Sequence, residues 1–291
     1  MAVSAPYTPH VVATDRVPAV SLVVPMFNEQ PEVMTRSLRS VAEQSFADFE
    51  CLVIDESTDA TAAAACAAFC AEDPRFRRVT PPARLGLPAS LNLGIELSRA
   101  PLVARFDSDD LCLPHRLQTQ VTYLDSHADV DVVGGSLELI DDNDVVFGVR
   151  HYPEHHADIV RTLQFTTPLA HPTVMLRRRA FELCGTYDPT FGNAEDLDLW
   201  LRFANQGIRF ANVPDILVRY RQQFTRRAPR HWRFNLKARI RNFDRQFFVR
   251  RIGGIAAILI WSLMPGRVQE LLFRTLVLRK RRLREEAARG A

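Results

Sequence analysis

The chain has 291 residues, 47% of them hydrophobic and 24% charged, which is enough for a sizeable core in one large or two smaller domains. Its five cysteines are scattered without paired spacing, which excludes a disulfide framework and indicates a reducing compartment. The net charge of +3 divides unevenly, because residues 221–291 hold 19 Lys and Arg against 4 Asp and Glu. We therefore expect an acidic body and a basic tail that has a different partner.

The first residues show no basic start followed by an apolar core, so we expect a disordered lead-in over 1–19 and not a signal peptide. Strand and helix patterns then run from Val20 to Gln222, and the basic residues concentrate after them. Three segments are predicted: the lead-in 1–19, a folded body over 20–222 and a helical tail over 223–291.

Apolar, β-branched runs alternate with helical patterns over the first half of the body. Strands are predicted at 20–25, 49–55, 76–80 and 101–107, and helices begin at Pro31, after the N-cap Asp59, at Pro88 and at Pro114. Four such β-α units imply a parallel sheet, whose ligands bind at the carboxyl ends of the strands. Three polar segments should converge there: Asn28-Glu29, Asp55-Glu56 and Asp107-Ser108-Asp109.

The pattern changes after Asp129. We predict a strand, a turn and a strand over 130–150, a strand over 171–178, a helix over 195–207 and a last strand over 216–222. The second half of the body therefore mixes antiparallel strands with helices.

Three carboxylates, Asp107, Asp109 and Asp110, lie within four residues at the end of a predicted strand. In a strand-like exit, Asp107 and Asp109 point the same way and could share one hard cation, with water and phosphate oxygens completing its shell. A polar turn that caps the helix beginning at Pro114 is the alternative. A second acidic pair, Glu195-Asp196, opens a predicted helix, where the helix dipole favours ionised carboxylates.

Four stretches together resemble a known family: "VSLVVPMFNE", "CLVIDESTDAT", "RLGLPASLNLGIELSRAPLVARFDSDD" and "AEDLDLWLR". In this order and spacing they are similar to the family-2 glycosyltransferases, inverting enzymes with the GT-A fold. The resemblance covers 20–222 and implies an α/β catalytic domain with a mostly parallel central sheet and flanking helices. Processive members carry a Q-x-x-R-W motif, whereas this chain has "RYRQQF", which argues for addition of a single sugar.

The resemblance also implies roles for particular residues. The donor nucleotide would be bound by Pro25, Phe27, Glu29, Asp55, Arg84, Gly86 and Asp107. A divalent cation, Mn²⁺ or Mg²⁺, would be held by Asp107, Asp109 and His171, the last because "AHPTVMLRR" is similar to a stretch beside the active site in some relatives; a structural role is its alternative. Asp196 would be the catalytic base. Glu195 would face the acceptor. Independently of the resemblance, Trp200 lies four residues after Asp196 on the same helical face and could stack on an acceptor sugar, with core packing as the equal alternative.

The tail interleaves arginines with aromatic residues around an apolar run of 13 residues, Ile252–Met264, which is shorter than the roughly 20 residues that cross a bilayer. We expect an amphipathic helical region that associates with an anionic membrane surface. Packing on the body or in a homodimer is the alternative, and nucleic acid is the least favoured partner.

These features predict an inverting, metal-assisted transferase on the cytoplasmic face of the inner membrane. It would move one sugar from a nucleotide-sugar, a UDP-sugar by the resemblance, to a glycan or lipid-linked glycan of a surface polysaccharide. The alternatives are a sugar-phosphate nucleotidyltransferase and a non-catalytic membrane-bound module that binds nucleotide-sugars.

Overall fold

The computed structural model describes residues 16–222 and 229–264. The strands within these residues are β1 Val20–Met26, β2 Phe49–Asp55, β3 Phe76–Val79, β4 Leu102–Arg105, β5 Leu111–Cys112, β6 Val132–Ile140, β7 Val146–Arg150, β8 Met175–Arg177 and β9 Phe210–Arg221. The helices are α1 Pro31–Ala42, α2 Ala60–Glu72, α3 Leu87–Leu97, α4 Arg116–Ser126, α5 His156–Leu163, α6 Arg178–Cys184, α7 Glu195–Asn205, α8 Pro229–Arg241 and α9 Phe248–Leu263. Most of the predicted lead-in and much of the tail lie outside the described residues.

The strands form one mixed sheet in the order β3-β2-β1-β4-β8-β6-β9-β5, with β7 on the edge of β6. β1 pairs in parallel with β2 and β4, and β2 pairs in parallel with β3. β8 runs antiparallel to both of its neighbours, β4 and β6. The carboxyl ends of β1, β2 and β4 therefore lie at one edge, as the sequence predicted.

The parallel half forms because its central strands are buried on both faces. Every residue of β2 is buried, and alternate side chains enter two different cores, with Val53 on one face and Leu52 on the other. The predicted N-cap of α2 is confirmed, because the Asp59 carboxylate accepts a hydrogen bond of 2.8 Å from the Ala62 amide.

The stretch 171–178 departs from the predicted strand. His171–Thr173 forms a single 3₁₀ turn, and only Met175–Arg177 pairs in the sheet. Pro172 has no amide hydrogen for a strand ladder, and the Thr173 amide instead donates to the Ala170 carbonyl at 2.9 Å. This turn brings the His171 side chain close to Tyr187 and Glu195.

The described part of the tail packs on the body. The Asn242 amide donates to buried Asp198 of α7 at 2.8 Å, and Arg239 of α8 donates to the Leu163 carbonyl at the end of α5 at 2.8 Å. Arg251 of α9 donates to the Asn205 side chain at 2.6 Å. Helices α8 and α9 are therefore fixed to the outer side of α7. Among the helices of 16–222 and 229–264, none combines the length and the apolarity of a bilayer-spanning segment.

Candidate active site

An open cleft of about 220 Å³ lies at the carboxyl ends of β1, β2 and β4. Its lining consists of Pro25, Met26, Phe27, Glu29, Glu56, Arg84, Gly86, Leu87, Asp107, Ser108 and Asp109. Seven of the residues predicted for the donor or the metal are in this set, although they come from three separate parts of the chain. Parallel pairing brings them together, because it aligns the exits of neighbouring strands.

The exits of β1 and β2 are joined by Asn28. Its backbone lies in the left-handed region at φ 53°, which asparagine tolerates better than most residues. Its side-chain oxygen accepts hydrogen bonds from the amides of Thr58 and Asp59, at 2.8 and 2.9 Å. This bridge joins two loops that are about thirty residues apart.

One wall of the cleft is the segment from Arg84 to Gly86. The Arg84 guanidinium lies 3.8 Å from the centroid of the Phe27 ring, in a cation–π contact across the cleft. The Glu56 carboxylate accepts hydrogen bonds from the Gly86 amide at 2.9 Å and from the Ser90 hydroxyl, which attaches the wall to the exit of β2. The sequence analysis named Glu56 only as a strand-end residue, and its contacts thirty residues along the chain have no local pattern.

Asp55 lies deeper than predicted. Its side chain is buried, and one carboxylate oxygen pairs with Arg78 at 2.7 Å. The other oxygen accepts from the Ser57 amide at 2.9 Å. Asp55 is not part of the cleft lining described here, so a contact with the nucleotide base would require it to exchange these partners.

Arg105, two residues before Asp107, determines the position of the first carboxylate of the D-x-D segment. Both terminal nitrogens of its buried guanidinium donate to the two carboxylate oxygens of Asp107 in a bidentate pair. The sequence analysis did not single out Arg105. The available signal was its spacing, since residues two apart along a strand face the same side.

The second carboxylate of the segment, Asp109, is buried close to other negative charges. Burial, followed by the negative charges of Asp107 and Glu29, raises the pKa of Asp109 to about 7. The neighbouring Asp110 is fully buried and accepts from the Arg221 amide at 2.7 Å, and burial also raises its pKa. The acidic cluster of the cleft is defined here as Glu29, Asp107 and Asp109.

The acidic cluster fits a divalent cation in part. Its all-oxygen donors suit Mg²⁺ or Mn²⁺, and the mutual repulsion that raises the pKa of Asp109 is what a cation would relieve. No group of three Asp, Glu, His or Cys side chains within 16–222 and 229–264 has the geometry of a complete site. Phosphate oxygens of a donor would have to complete the coordination of a cation held by Asp109 and Asp107.

His171 lies beside the second acidic pair and is not among the residues that line the cleft. Its Nε2 atom is 2.8 Å from the Tyr187 hydroxyl, and its Nδ1 atom is 3.9 Å from Glu195. Burial, followed by the charge of Arg105, lowers its pKa well below the ordinary value, so the ring is neutral. A metal-ligand role for His171 would require it to give up the Tyr187 hydrogen bond.

The Glu195-Asp196 pair begins α7, as predicted. The preceding Ala194 is left-handed, at φ 65°, and the Asp196 carboxylate accepts a hydrogen bond of 2.7 Å from the Leu197 amide. Burial, and then the charge of Asp196, raise the pKa of Glu195 to about 7. Both carboxylates are at the positive end of the helix, which favours their ionised forms and opposes this shift.

Electrostatic interactions connect the two acidic groups. Burial raises the pKa of Tyr187, and the charges of Asp107 and Asp196 both raise it further, while Arg105 lowers it. Arg105 also lowers, and Asp107 also raises, the pKa of Glu195. Carboxylates that are almost ninety residues apart in the sequence therefore act on the same buried groups.

The predicted stacking of Trp200 on an acceptor sugar is not compatible with its position. Trp200 is 0% exposed, and its ring makes edge contacts with Phe203 and Phe210 at centroid distances of 5.9 and 6.2 Å. It also packs edge-on against His171. Trp200 is therefore a core residue, which was the alternative to the acceptor role.

Comparisons with known proteins identify the family of this chain. A family model described as "Glycosyl transferase family 2" matches residues 21–184. The amylovoran biosynthesis glycosyltransferase AmsE of Erwinia amylovora is 27% identical over 263 residues, which is 87% of this chain and 97% of AmsE.

Solved structures share the GT-A fold at low sequence identity. S. aureus TarS 1–349 in complex with UDP-GlcNAc has a TM-score of 0.64 and 17% identity, over 82% of this chain and 71% of TarS 1–349. The mannosyltransferase PcManGT of Pyrobaculum calidifontis, in complex with GDP-Man and Mn²⁺, has a TM-score of 0.60 and 17% identity, over 94% and 84% of the two chains. The family match favours glycosyl transfer over nucleotidyl transfer. The chain is a glycosyltransferase that belongs to glycosyl transferase family 2.

Proposed function

We propose that the protein transfers a single sugar, with inversion at the anomeric carbon, from a UDP-sugar to a glycan or lipid-linked glycan. The proposal rests on the Asp107–Arg105 ion pair, which connects the two acidic groups. Asp107 lines the cleft, and the charges of Asp107 and Arg105 both act on the pKa of Glu195. The name of the relative AmsE supports a polysaccharide product. The TarS complex with UDP-GlcNAc supports a uridine nucleotide as the donor. Because PcManGT was solved with GDP-Man, guanosine nucleotides are included in the experiment below.

The donor would bind with its nucleotide against the contacting pair Phe27 and Arg84 and its diphosphate toward Asp107 and Asp109. Arg84 offers positive charge beside the phosphates, and the Phe27 ring offers an apolar face for the nucleoside. Glu29 lies on the same wall as the two aspartates.

The acidic cluster explains why we include a divalent cation. A diphosphate placed beside Asp107 and Asp109 would add negative charge to groups that already repel one another. When bound by Asp109 and Asp107, Mn²⁺ or Mg²⁺ supplies positive charge that stabilises the leaving diphosphate. The Mn²⁺ in the PcManGT complex supports this choice of ion.

The proposed reaction is a direct displacement. Asp196 accepts the proton of the acceptor hydroxyl, the hydroxyl oxygen forms the new bond to the anomeric carbon, and the bond to the diphosphate oxygen breaks with its electron pair. Nucleoside diphosphate leaves. The hydrogen bond from the Leu197 amide orients the Asp196 carboxylate at the start of α7.

Transfer of one sugar at a time is supported by the sequence at the end of β9. The stretch "RYRQQF" lacks the Q-x-x-R-W pattern of processive relatives. In the structure, Arg221 of this stretch donates to the Asp109 carbonyl at 2.9 Å, so it supports the acidic cluster from behind.

A donor screen tests the proposal. The full chain is incubated with UDP-sugars and GDP-sugars, with Mn²⁺ or with a chelator, and release of nucleoside diphosphate is measured. We expect Mn²⁺-dependent release from a UDP-sugar that increases when a glycan acceptor is added. Release that is equal in the presence of chelator would contradict the metal-assisted reaction, and release only from GDP-sugars would contradict the uridine assignment.

A further inference from the structure

Helix α9 carries an exposed apolar face that the proposed reaction does not use. Val249, Ile252, Ile260 and Leu263 are 81%, 47%, 58% and 83% exposed, and their spacing places them along one side of the helix. A surface helix of a soluble protein ordinarily presents polar residues on its outer side. We define the α9 stripe as Val249, Ile252, Ile260 and Leu263.

The opposite side of α9 is attached to the body. Arg251 and Ile258 are buried, and Arg251 donates to the Asn205 side chain. Gly254 lies so close to α5 that an added Cβ atom would be 2.0 Å from the Gln164 carbonyl oxygen. The helix therefore has a fixed orientation, with its protein-facing side occupied and the α9 stripe directed outward.

Positive charge flanks the stripe. Arg245 and Arg250 are exposed beside it, and residues 229–264 contain one acidic residue, Asp244. The sequence after Met264 adds eight Lys and Arg against three Glu. An apolar stripe bordered by cations matches the acyl boundary and the anionic headgroups of a lipid surface.

We propose that the α9 stripe and its flanking arginines form the surface by which this protein binds an anionic membrane. A second copy of the chain fits less well, because a contact between two stripes would leave the flanking arginines of both copies without an anionic partner. Membrane binding does not rest on the proposed transfer reaction, so the two proposals can fail separately.

The segment that joins α8 to α9 packs near the first turn of α7. Arg241 pairs with Asp188, and the Asn242 side-chain amide donates to Asp198. Helix α9 itself contacts the other end of α7, where Arg251 donates to Asn205. The described contacts between α9 and α7 are therefore at the end of α7 that is opposite to Glu195-Asp196.

Vesicle flotation tests the proposal with the full chain. The wild type should float with vesicles of phosphatidylcholine and phosphatidylglycerol, and should bind less to phosphatidylcholine alone. Ile252→Glu/Ile260→Glu should weaken the partition by at least about tenfold, since each change removes the burial of a large apolar side chain. Each of Arg245→Ala and Arg250→Ala should weaken it by about fivefold on the anionic vesicles.

Two controls make the experiment decisive. Leu183→Glu, at an exposed apolar position on α6, should bind vesicles like the wild type. Thermal unfolding and donor hydrolysis by Ile252→Glu/Ile260→Glu should stay unchanged, which separates membrane loss from misfolding. Equal vesicle binding by wild type and double variant would overturn the proposal. So would a wild-type dimer in solution, without lipid, that the double variant makes monomeric.

Discussion

The two acidic groups of the active site differ in how their charges are compensated. On the donor side, Asp107 has a bidentate partner in Arg105 and Asp55 has a partner in Arg78. At the start of α7, Glu195 has no comparable arginine contact among the described residues, and it faces a neutral histidine at 3.9 Å. Arginine pairing therefore holds the donor-side carboxylates in place, whereas Glu195 is able to gain and lose a proton.

This comparison gives each group a distinct chemical role. A carboxylate that is paired with arginine keeps its position, which suits the binding of a charged donor. A proton acceptor works best when its pKa is close to the working pH. The pKa of Glu195, the neighbour of Asp196 in the chain, is raised to about 7. On the donor side Asp109 differs from Asp107 and Asp55, because its pKa is also raised to about 7. A bound cation would compensate the negative charges around it.

The largest effect should come from removing the proposed base. Asp196→Asn should lower the turnover number by about 10² to 10⁴-fold, because the acceptor hydroxyl loses its proton acceptor while the shape of the side chain is kept. Donor affinity, measured by calorimetry with UDP, should change little. If Asp196→Asn instead abolished UDP binding and left turnover intact at saturating donor, the division into donor and base sides would be wrong.

The donor side should respond in the opposite way. Asp109→Asn should weaken Mn²⁺-dependent UDP binding by about a hundredfold, because an amide is a poorer ligand and carries no charge. Asp142→Asn, an exposed carboxylate on the β6–β7 turn, is the matched control and should bind UDP normally. Normal Mn²⁺-dependent UDP binding by Asp109→Asn would contradict a metal ion held by Asp109.

A third variant tests the support behind the acidic cluster. The buried Arg221 guanidinium donates to the carbonyls of Asp109 and Asp141 and pairs with Asp144. Arg221→Met should lower the free energy of unfolding by about 3 kcal/mol and raise the KM for the donor more than it lowers kcat. Arg219→Met, which removes a partly exposed pair with Glu138, is the control and should cost less than about 1 kcal/mol. Equal losses in the two variants would contradict the supporting role.

The smallest expected effect is on the pH dependence of stability. Burial and Asp196 raise the pKa of Glu195 from 4.5 to about 7, so between these values the folded protein keeps a proton that the unfolded chain has released. The free energy of unfolding should therefore fall as pH rises from about 5 to about 7 and level off above. Glu195→Gln should flatten this slope in urea titrations, whereas exposed Glu182→Gln should not. An unchanged slope in Glu195→Gln would refute the raised pKa.

The parallel half of the fold was predictable because its strands are buried on both faces. Such strands read as continuous apolar runs, and parallel pairing then places their polar exits together without further information. The strand pattern therefore predicted Glu29, Glu56 and the Asp107–Asp109 segment at the cleft, whereas Phe27, Arg84 and Gly86 were named only through the family resemblance. The tail was predicted as helical, whereas its attachment to α7 through Asn242 and Asp198 depends on contacts between distant residues.

The errors have physical causes that can be named. The spacing of Asp196 and Trp200 places both on one helical face, but α7 is enclosed by protein on nearly all sides, so periodicity could not distinguish a ligand face from a core face. The strand expected over 171–178 failed at Pro172, which cannot donate to a ladder. The contacts of Glu56 with the Arg84 to Gly86 segment depend on loop geometry that no short pattern encodes.

The central claim is that Asp196 and the Asp107–Asp109 segment serve one bound donor. A crystal structure of the full chain with UDP and Mn²⁺ tests it most directly. We predict a cation between the Asp109 carboxylate and the diphosphate, Arg84 and Phe27 against the nucleotide, and the Asp196 carboxylate facing the position next to the β-phosphate where the sugar would lie. A diphosphate bound with its β-phosphate directed away from α7, so that no sugar attached to it could reach Asp196, would contradict the account.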